Sequence, residues 1–314
     1  MTGKRIVLAG GSGFLGRVLA ERFVRDNSEV VVLTRSPSPR AIAIKEVFWD
    51  GETLGDWAAE IDGAKAVVNL AGRSVNCRYV VRNRRAILES RVNSTRVLGQ
   101  AIAKCRQPPP VWLNSSTATI YRHSFDRPMN EAGEIAATPQ AKDAFSVEVA
   151  CAWEKALGDA DTPATRKVAL RTAMVLGVEA NSVFPVLRRL ARLGLGGKMA
   201  SGRQFVSWIH QEDFGRAVEW LLECDDISGP VNLAAPNPVT NRELMETVRR
   251  VCGAPVGLPA NRWMLELGAF FLRTETELII KSRRVVPGRL LAGGFAFRFP
   301  DLESAVRDIE RRIE

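Results

Sequence analysis

The sequence predicts an α/β fold, a doubly wound parallel sheet with a smaller C-terminal lobe interleaved with it. Three observations carry that expectation. Strand and helix patterns alternate over the first half of the chain, the strands are short continuous apolar runs, and a glycine-rich turn joins the first strand to the first helix. A strand buried on both faces needs helices on both, which is why apolar runs without polar alternation point to a parallel sheet.

Arg5 to Ala9 is the first strand, and Phe14 to Arg25 a helix with Phe14, Leu15, Val18, Leu19, Arg22 and Phe23 on one side. Glu29–Leu33 and Ala66–Leu70 are further strands, and a long helix is expected over Val80–Lys104. Pro108-Pro109-Pro110 breaks the pattern before a strand at Val111–Ser115. Helix at Ser146–Leu157 and strand at Lys167–Leu170 follow. Beyond Gly177 the expected elements are a helix over Ser182–Leu193, a strand over Phe205–His210, a helix over Asp213–Cys224 and a strand over Val231–Ala234. Helical patterns at Asn241–Cys252, Asn261–Leu272 and Leu302–Ile313 complete the chain. The expected division is a dinucleotide-binding domain over 1–178, to which 203–236 returns, and a substrate lobe from 179–202 and 237–314.

Composition narrows the chemistry. At 314 residues, with 46% hydrophobic and 25% charged, the chain has the balance of a soluble globular protein. No stretch approaches the roughly 18 uncharged apolar residues of a membrane span. The run after Arg5 is too short for a signal peptide, so a cytoplasmic protein without a membrane partner is expected. Cys77, Cys105, Cys151, Cys224 and Cys252 are an odd, scattered set with no C-x-x-C pair, which argues for reduced thiols and against a metal site. The net charge of +9 suggests an anionic partner. Its sources are seven arginines between Arg73 and Arg96 against Glu89 alone, and five basic residues between Arg188 and Arg203. Neither stretch interleaves aromatics or carries a nucleic-acid motif, so nucleic acid is not expected.

The strongest motif is the turn Gly10-Gly11-Ser12-Gly13-Phe14-Leu15-Gly16. Gly10 permits the tight turn, Gly13 lets a backbone approach a pyrophosphate, and Gly16 lets the helix pack near the sheet. The helix N-terminus then offers free N–H groups to phosphate. An NAD site usually places an acid at the end of the second strand. Here Thr34 and Arg35 stand there, and no acid occurs between Glu29 and Glu46. Arg35 suits a 2′-phosphate, so NADP(H) is the expected cofactor.

At this point the chain resembles the extended short-chain dehydrogenase/reductases, which include nucleotide-sugar epimerases and dehydratases. The residues concerned are the glycine turn, Asn69-Leu70-Ala71-Gly72 and Ser115-Ser116-Thr117-Ala118-Thr119-Ile120-Tyr121. Ser90-Arg91, Trp153-Glu154, Gly194-Leu195-Gly196-Gly197, Ser201-Gly202-Arg203-Gln204, Trp208-Ile209-His210 and Asn232-Leu233-Ala234-Ala235-Pro236 narrow it to an atypical epimerase/dehydratase-like subgroup with its own C-terminal domain. The tail from Val286-Pro287 to Phe299-Pro300-Asp301-Leu302 fits that domain. The resemblance implies a Rossmann fold, a small-molecule substrate such as a nucleotide sugar, and the dimerisation common in the superfamily. It also implies that Leu70, Ala71, Gly72 and Ser115 line the cofactor, that Arg91 lies near it, and that Val175 and Leu176 flank the nicotinamide.

The superfamily's Y-x-x-x-K pair is absent. Tyr79 is followed at the fourth position by Asn83 and Tyr121 by Phe125. Phe145 and Val149 stand where the pair is expected, and neither transfers a proton. Thr117 occupies the Ser/Thr position, either polarising a substrate carbonyl or satisfying backbone at a strand end. Tyr121 is the candidate replacement acid. Gln204, Trp208 and His210 are candidate pocket residues, with a core tryptophan and a hydrogen-bonded structural histidine as the alternatives for the last two. Two functions follow: an NADP-dependent oxidoreductase or epimerase-like enzyme, or a non-catalytic NADPH-binding protein.

Overall fold

A computed structural model describes residues 5–38, 44–261, 264 and 277–313. Its centre is a seven-stranded sheet made of β1 (Arg5–Ala9), β2 (Glu29–Thr34), β3 (Ile44–Phe48), β4 (Ala66–Asn69), β5 (Val111–Thr117), β6 (Arg166–Thr172) and β10 (Gly229–Leu233). The order is β10-β6-β5-β4-β1-β2-β3, and every pairing is parallel. The chain leaves β1 towards β2 on one side and β4 on the other, so the order reverses at β1. A crevice opens there beyond the carboxyl ends of the strands, the usual ligand position in such sheets.

Alternation along β1 shows why the sheet needs two covers. Ile6 and Leu8 pack with Leu19 and Phe23 of α1 (Phe14–Arg25) and with Phe214 and Leu221 of α5 (Gln211–Glu223). Val7 and Ala9 pack on the opposite side with Val97, Leu98 and Ile102 of α2 (Val81–Ala103). Trp112 of β5 is fully buried on that side. Its truncation to alanine would cost about 3–5 kcal/mol.

A second core lies outside the sheet. Leu187 of α4 (Phe184–Arg192), Leu244 and Val248 of α6 (Asn241–Val251), and Val306 and Ile309 of α9 (Leu302–Ile313) pack around Leu176 and Trp208. Two short segments, α7 (Glu277–Ile280) and α8 (Gly288–Ala292), lead into this last helix.

Three differences from the expected elements have physical causes. β3 is an edge strand with Lys45 and Glu46 in its centre, so it lacks the apolar run that marks the others. The strand expected over Phe205–His210 divides at Ser207 into β8 (Phe205–Val206) and β9 (Trp208–His210). The Ser207 hydroxyl donates to the Arg283 carbonyl at 2.7 Å and accepts from the Val285 N–H at 2.7 Å, tying this point to the C-terminal segment. Met174–Leu176 forms a strand, β7, paired with β9. The helix expected over Asn261–Leu272 lies, apart from residues 261 and 264, outside the described residues.

Candidate functional site

The glycine turn folds around two close approaches and one opening. Gly10 has φ +72°, and a Cβ there would stand 2.7 Å from the Ala71 Cα in the segment after β4. A Cβ on Gly16 would meet the Gly11 carbonyl oxygen at 2.2 Å, so only glycine brings α1 this near the turn. Around Gly13, by contrast, nothing lies within 4 Å of where a Cβ would be. Gly13 is the N-cap of α1, no side chain caps the helix, and no acid occupies its first turn. Its unpaired N–H groups and positive dipole end therefore suit an anion.

These residues border a groove of about 550 Å³ that runs past Thr34 and Arg35 and returns along Leu70, Ala71 and Gly72. Asp50 and Glu52, just after β3, line its far side. Asp50 accepts from the N–H groups of Glu52 and Thr53 at 2.8 and 2.9 Å, which shapes the turn. The donor set fits a dinucleotide, with backbone N–H groups for the diphosphate and the exposed guanidinium of Arg35 for a further anionic group.

A second recess of about 270 Å³ continues from the first, because Leu70 and Gly72 line both. Ser115, Ser116 and Thr117 of β5 form one wall, and Phe145, Ser146, Val149 and Trp153 of α3 (Ala144–Gly158) another. Phe145 and Val149 thus face the same cavity as Thr117, with Tyr79 edge-on to Phe145 at 5.0 Å between ring centres. Thr117 Oγ1 accepts from the Thr119 N–H at 3.1 Å, which leaves its own proton for a ligand. Arg91, also in this wall, donates to the Arg73 and Ile87 carbonyls at 3.0 Å and lies 5.1 Å from the Trp153 ring centre. Burial pushes its guanidinium down to about 10.

The pattern of the NAD dependent epimerase/dehydratase family matches residues 6–234, and a domain of unknown function, DUF1731, matches residues 261–309. The chain belongs to the NAD dependent epimerase/dehydratase family. Epimerase family protein SDR39U1 of Bos taurus is 30% identical over 312 residues, covering 97% of this chain and 99% of that protein. Epimerase family protein YfhF of Bacillus subtilis is 30% identical over 311 residues, 97% of each. Among solved structures, that of human epimerase family protein SDR39U1 with NADPH matches with a TM-score of 0.86 and 29% identity, over 98% of this chain and 99% of that one. UDP-N-acetylglucosamine 4-epimerase from Bacillus cereus matches in fold, with a TM-score of 0.76, 19% identity and coverage of 98% and 96%.

Several residues expected at the site of this epimerase-family chain lie elsewhere. Tyr121 is 1% exposed, and its hydroxyl donates to Asn232 Oδ1 and accepts from Arg171 Nη1, both at 2.8 Å. Burial pushes its pKa up, the Arg171 charge opposing, and the residue belongs to the core rather than to the recess. Trp208 is fully buried in the second core, its Nε1 donating to the Asn237 carbonyl. His210 caps α5, with Nδ1 accepting from the Glu212 N–H at 3.1 Å, and burial pushes its pKa down to about 4. Gln204 is buried between the Met199 and Ile279 carbonyls. β7 pairing carries Leu176 into the second core and sets Val175 against the main one, so neither borders the recess. Phe14 and Gly16 shape the turn without lining either cavity, whereas Leu15 lines the recess.

Sequence reasoning missed the polar groups that the C-terminal segment brings to this wall. Arg283 Nη1 donates to Thr119 Oγ1 at 3.2 Å, Lys281 Nζ to the Thr119 carbonyl at 2.5 Å, and Ser146 Oγ to Glu277 Oε2 at 3.0 Å. Lys281 also pairs with Asp143 at 2.5 Å, both side chains without exposed surface. The available signal was their charge: four ionisable residues at positions 277, 281, 283 and 284, between the helix expected over Asn261–Leu272 and the tail from Val286.

Proposed function

We propose that this chain is an NADP(H)-dependent oxidoreductase or epimerase-like enzyme acting on a small polar substrate, with nucleotide sugars the class to test first. One observation carries the reading: the groove at the glycine turn and the recess at Thr117 share Leu70 and Gly72, giving a single path from Arg35 to Thr117. In this reading the α1 N-terminus and Ser12 hold the diphosphate, and Arg35 holds the 2′-phosphate. Arg91 stabilises negative charge near the junction. When bound, the nicotinamide supplies or accepts a hydride. Thr117 hydrogen-bonds a substrate carbonyl through its hydroxyl, polarising it, while Phe145, Val149 and Trp153 exclude water from the reacting centre. In this reading residues 277–283 back the wall of the recess through Ser146 and Thr119.

NADPH bound to the human relative supports the cofactor, as does the run from Val30 to Lys45, which holds Arg35 and no acid. Calorimetric titration with NADPH and NADH tests it: tighter NADPH binding is expected, and equal or weaker binding overturns the assignment. A second reading, a protein that binds NADPH without chemistry and signals its presence through the C-terminal lobe, is favoured by Phe145 and Val149 at the positions of the usual proton-transfer pair.

A further inference from the structure

The recess contains a hydroxyl backed by a buried carboxyl, one residue from the place where the proton donor is missing. Ser146 follows Phe145 on α3 and lines the recess with Thr117. Its Oγ lies 3.0 Å from Glu277 Oε2. Glu277 is 6% exposed, does not border the recess, and its Oε1 has no hydrogen-bond partner among the described residues. A buried carboxyl oxygen with nothing to accept from is costly as a carboxylate and much cheaper as an acid.

We propose that Ser146 is the catalytic hydroxyl of this site and that Glu277 is the positioning acid that refills it, together replacing the Tyr–Lys pair. The inference rests on the reading of the recess as a hydride-transfer site. In the reducing direction, the substrate's carbonyl carbon takes up a hydride, with its two electrons, from the reduced nicotinamide, which is oxidised. The carbonyl π pair moves to oxygen, and that oxygen takes the Ser146 hydroxyl proton. With Glu277 protonated, Ser146 Oγ accepts from the carboxylic acid instead of donating to it, so it recovers a proton from Glu277 as it gives up its own; the carboxylate left behind accepts from the Ser146 hydroxyl until solvent reprotonates it. The products are an alcohol and the oxidised cofactor; oxidation of an alcohol runs the same transfers backwards.

The surroundings suit an acid that both holds and releases a proton. Burial pushes the Glu277 carboxyl above the ordinary glutamate range, as does the charge of Asp143. The Ser146 hydrogen bond and the charges of Lys281 and Arg283 pull the other way. Lys281 is paired with Asp143, and Arg283 donates to Thr119, itself a lining residue. The cations therefore stabilise the carboxylate formed after transfer without bonding to it directly.

Two readouts on the full-length protein test this. The first needs no turnover: ¹³C-labelled glutamate carboxyls are titrated by NMR in wild type, Glu277→Gln and Ser146→Ala. A resonance lost in Glu277→Gln should titrate above the ordinary value of about 4.3, and Ser146→Ala should shift its midpoint. An ordinary midpoint unmoved by Ser146→Ala overturns the proposal. The second follows NADPH oxidation by an activated dicarbonyl, phenanthrenequinone. Ser146→Ala and Glu277→Gln should each slow it by about 10²–10⁴-fold with NADPH affinity unchanged, and Ser146→Thr should restore most of the rate. The wild-type rate should fall as pH rises through the Glu277 midpoint, and that limb should vanish in Glu277→Gln. A full rate in Ser146→Ala, or a pH limb that survives Glu277→Gln, overturns the assignment. A wild type that binds NADPH and titrates as expected, yet passes hydride neither to this probe nor to any compound of a metabolite extract, overturns the hydride-transfer reading and this inference with it.

Discussion

Two polar clusters are buried within a few residues of each other, and they differ in how fully they are paired. In the first, Arg171 of β6 forks onto both Glu154 oxygens at 2.8 Å, gives its remaining Nη1 to Tyr121, and Tyr121 continues to Asn232. Asn232 Nδ2 ends the chain on the Val286 carbonyl at 2.9 Å, and Ser116 completes Glu154 at 2.6 Å. Burial opposes the Arg171 charge, but Glu154 and Tyr121 outweigh it and hold the guanidinium's proton more tightly than usual. In the second cluster one Glu277 oxygen has no hydrogen-bond partner among the described residues, and the other reaches the recess through one serine. A closed network ties β5, β6, α3 and β10 together. An incomplete one beside a cavity has capacity left for a ligand. The tyrosine is bonded into the scaffold, and under the proposed relay the proton comes from residues that no tyrosine search reveals.

Breaking the closed network should have the largest effect on folding. Arg171→Met leaves Glu154 as a buried charge without its cation and should cost about 3–5 kcal/mol in urea unfolding. Glu277→Gln, which keeps a hydrogen bond to Ser146, should change stability by no more than about 1 kcal/mol. Equal losses in the two variants would erase the distinction between the clusters.

His210 extends the comparison to the second core. The folded chain holds it neutral down to about 4, against 6.5 for an ordinary histidine, because burial disfavours the imidazolium. Between those values the unfolded chain binds more protons. This contribution is therefore fully present above 6.5 and is lost as pH falls towards 4, with Asp308, 3.3 Å from His210 Nε2, opposing the shift. Thermal melts across that range should show the slope in wild type and a flatter one in His210→Asn, whose side chain can still cap α5.

Arg35 sharpens the contrast from the outside, since it is exposed and its role is in binding. Arg35→Glu should weaken NADPH by about 10–100-fold relative to NADH while leaving the melting temperature within a degree or two, as is usual for a surface substitution. Isothermal titration and thermal melts separate the two effects. Tyr121→Phe should do the reverse, with a modest cost in stability and none in binding. It should cost about 1–2 kcal/mol from the unpaired Asn232 and Arg171 groups and leave NADPH oxidation at the wild-type rate.

Much of this was legible in the sequence, for reasons that also mark where legibility ended. The glycine turn and the central strands are local patterns, and β1, α1, β2, β4 and β5 emerge close to where periodicity places them. Phe145 and Val149 face the recess because spacing along one helix survives folding. Lost were features set by contacts distant in sequence. The edge strand β3 has no apolar run to announce it, and Asp50 and Glu52 reach the groove only through its pairing with β2. β7 and β9 carry Leu176, Trp208 and His210 inward by pairing with each other. Ser146 meets Glu277 across 131 positions of chain, a separation that no motif spans.

In the proposed reaction a hydride moves between NADP(H) and a substrate held at Thr117 and Ser146. The most direct test uses NADPH carrying deuterium at the transferable position, incubated with the protein and a metabolite extract and followed by mass spectrometry. Deuterium is expected in a small molecule only when the protein is present, and is expected to be lost in Ser146→Ala. Tight NADPH binding with no label transferred to any compound would contradict this reaction and favour a protein that holds the cofactor without using it.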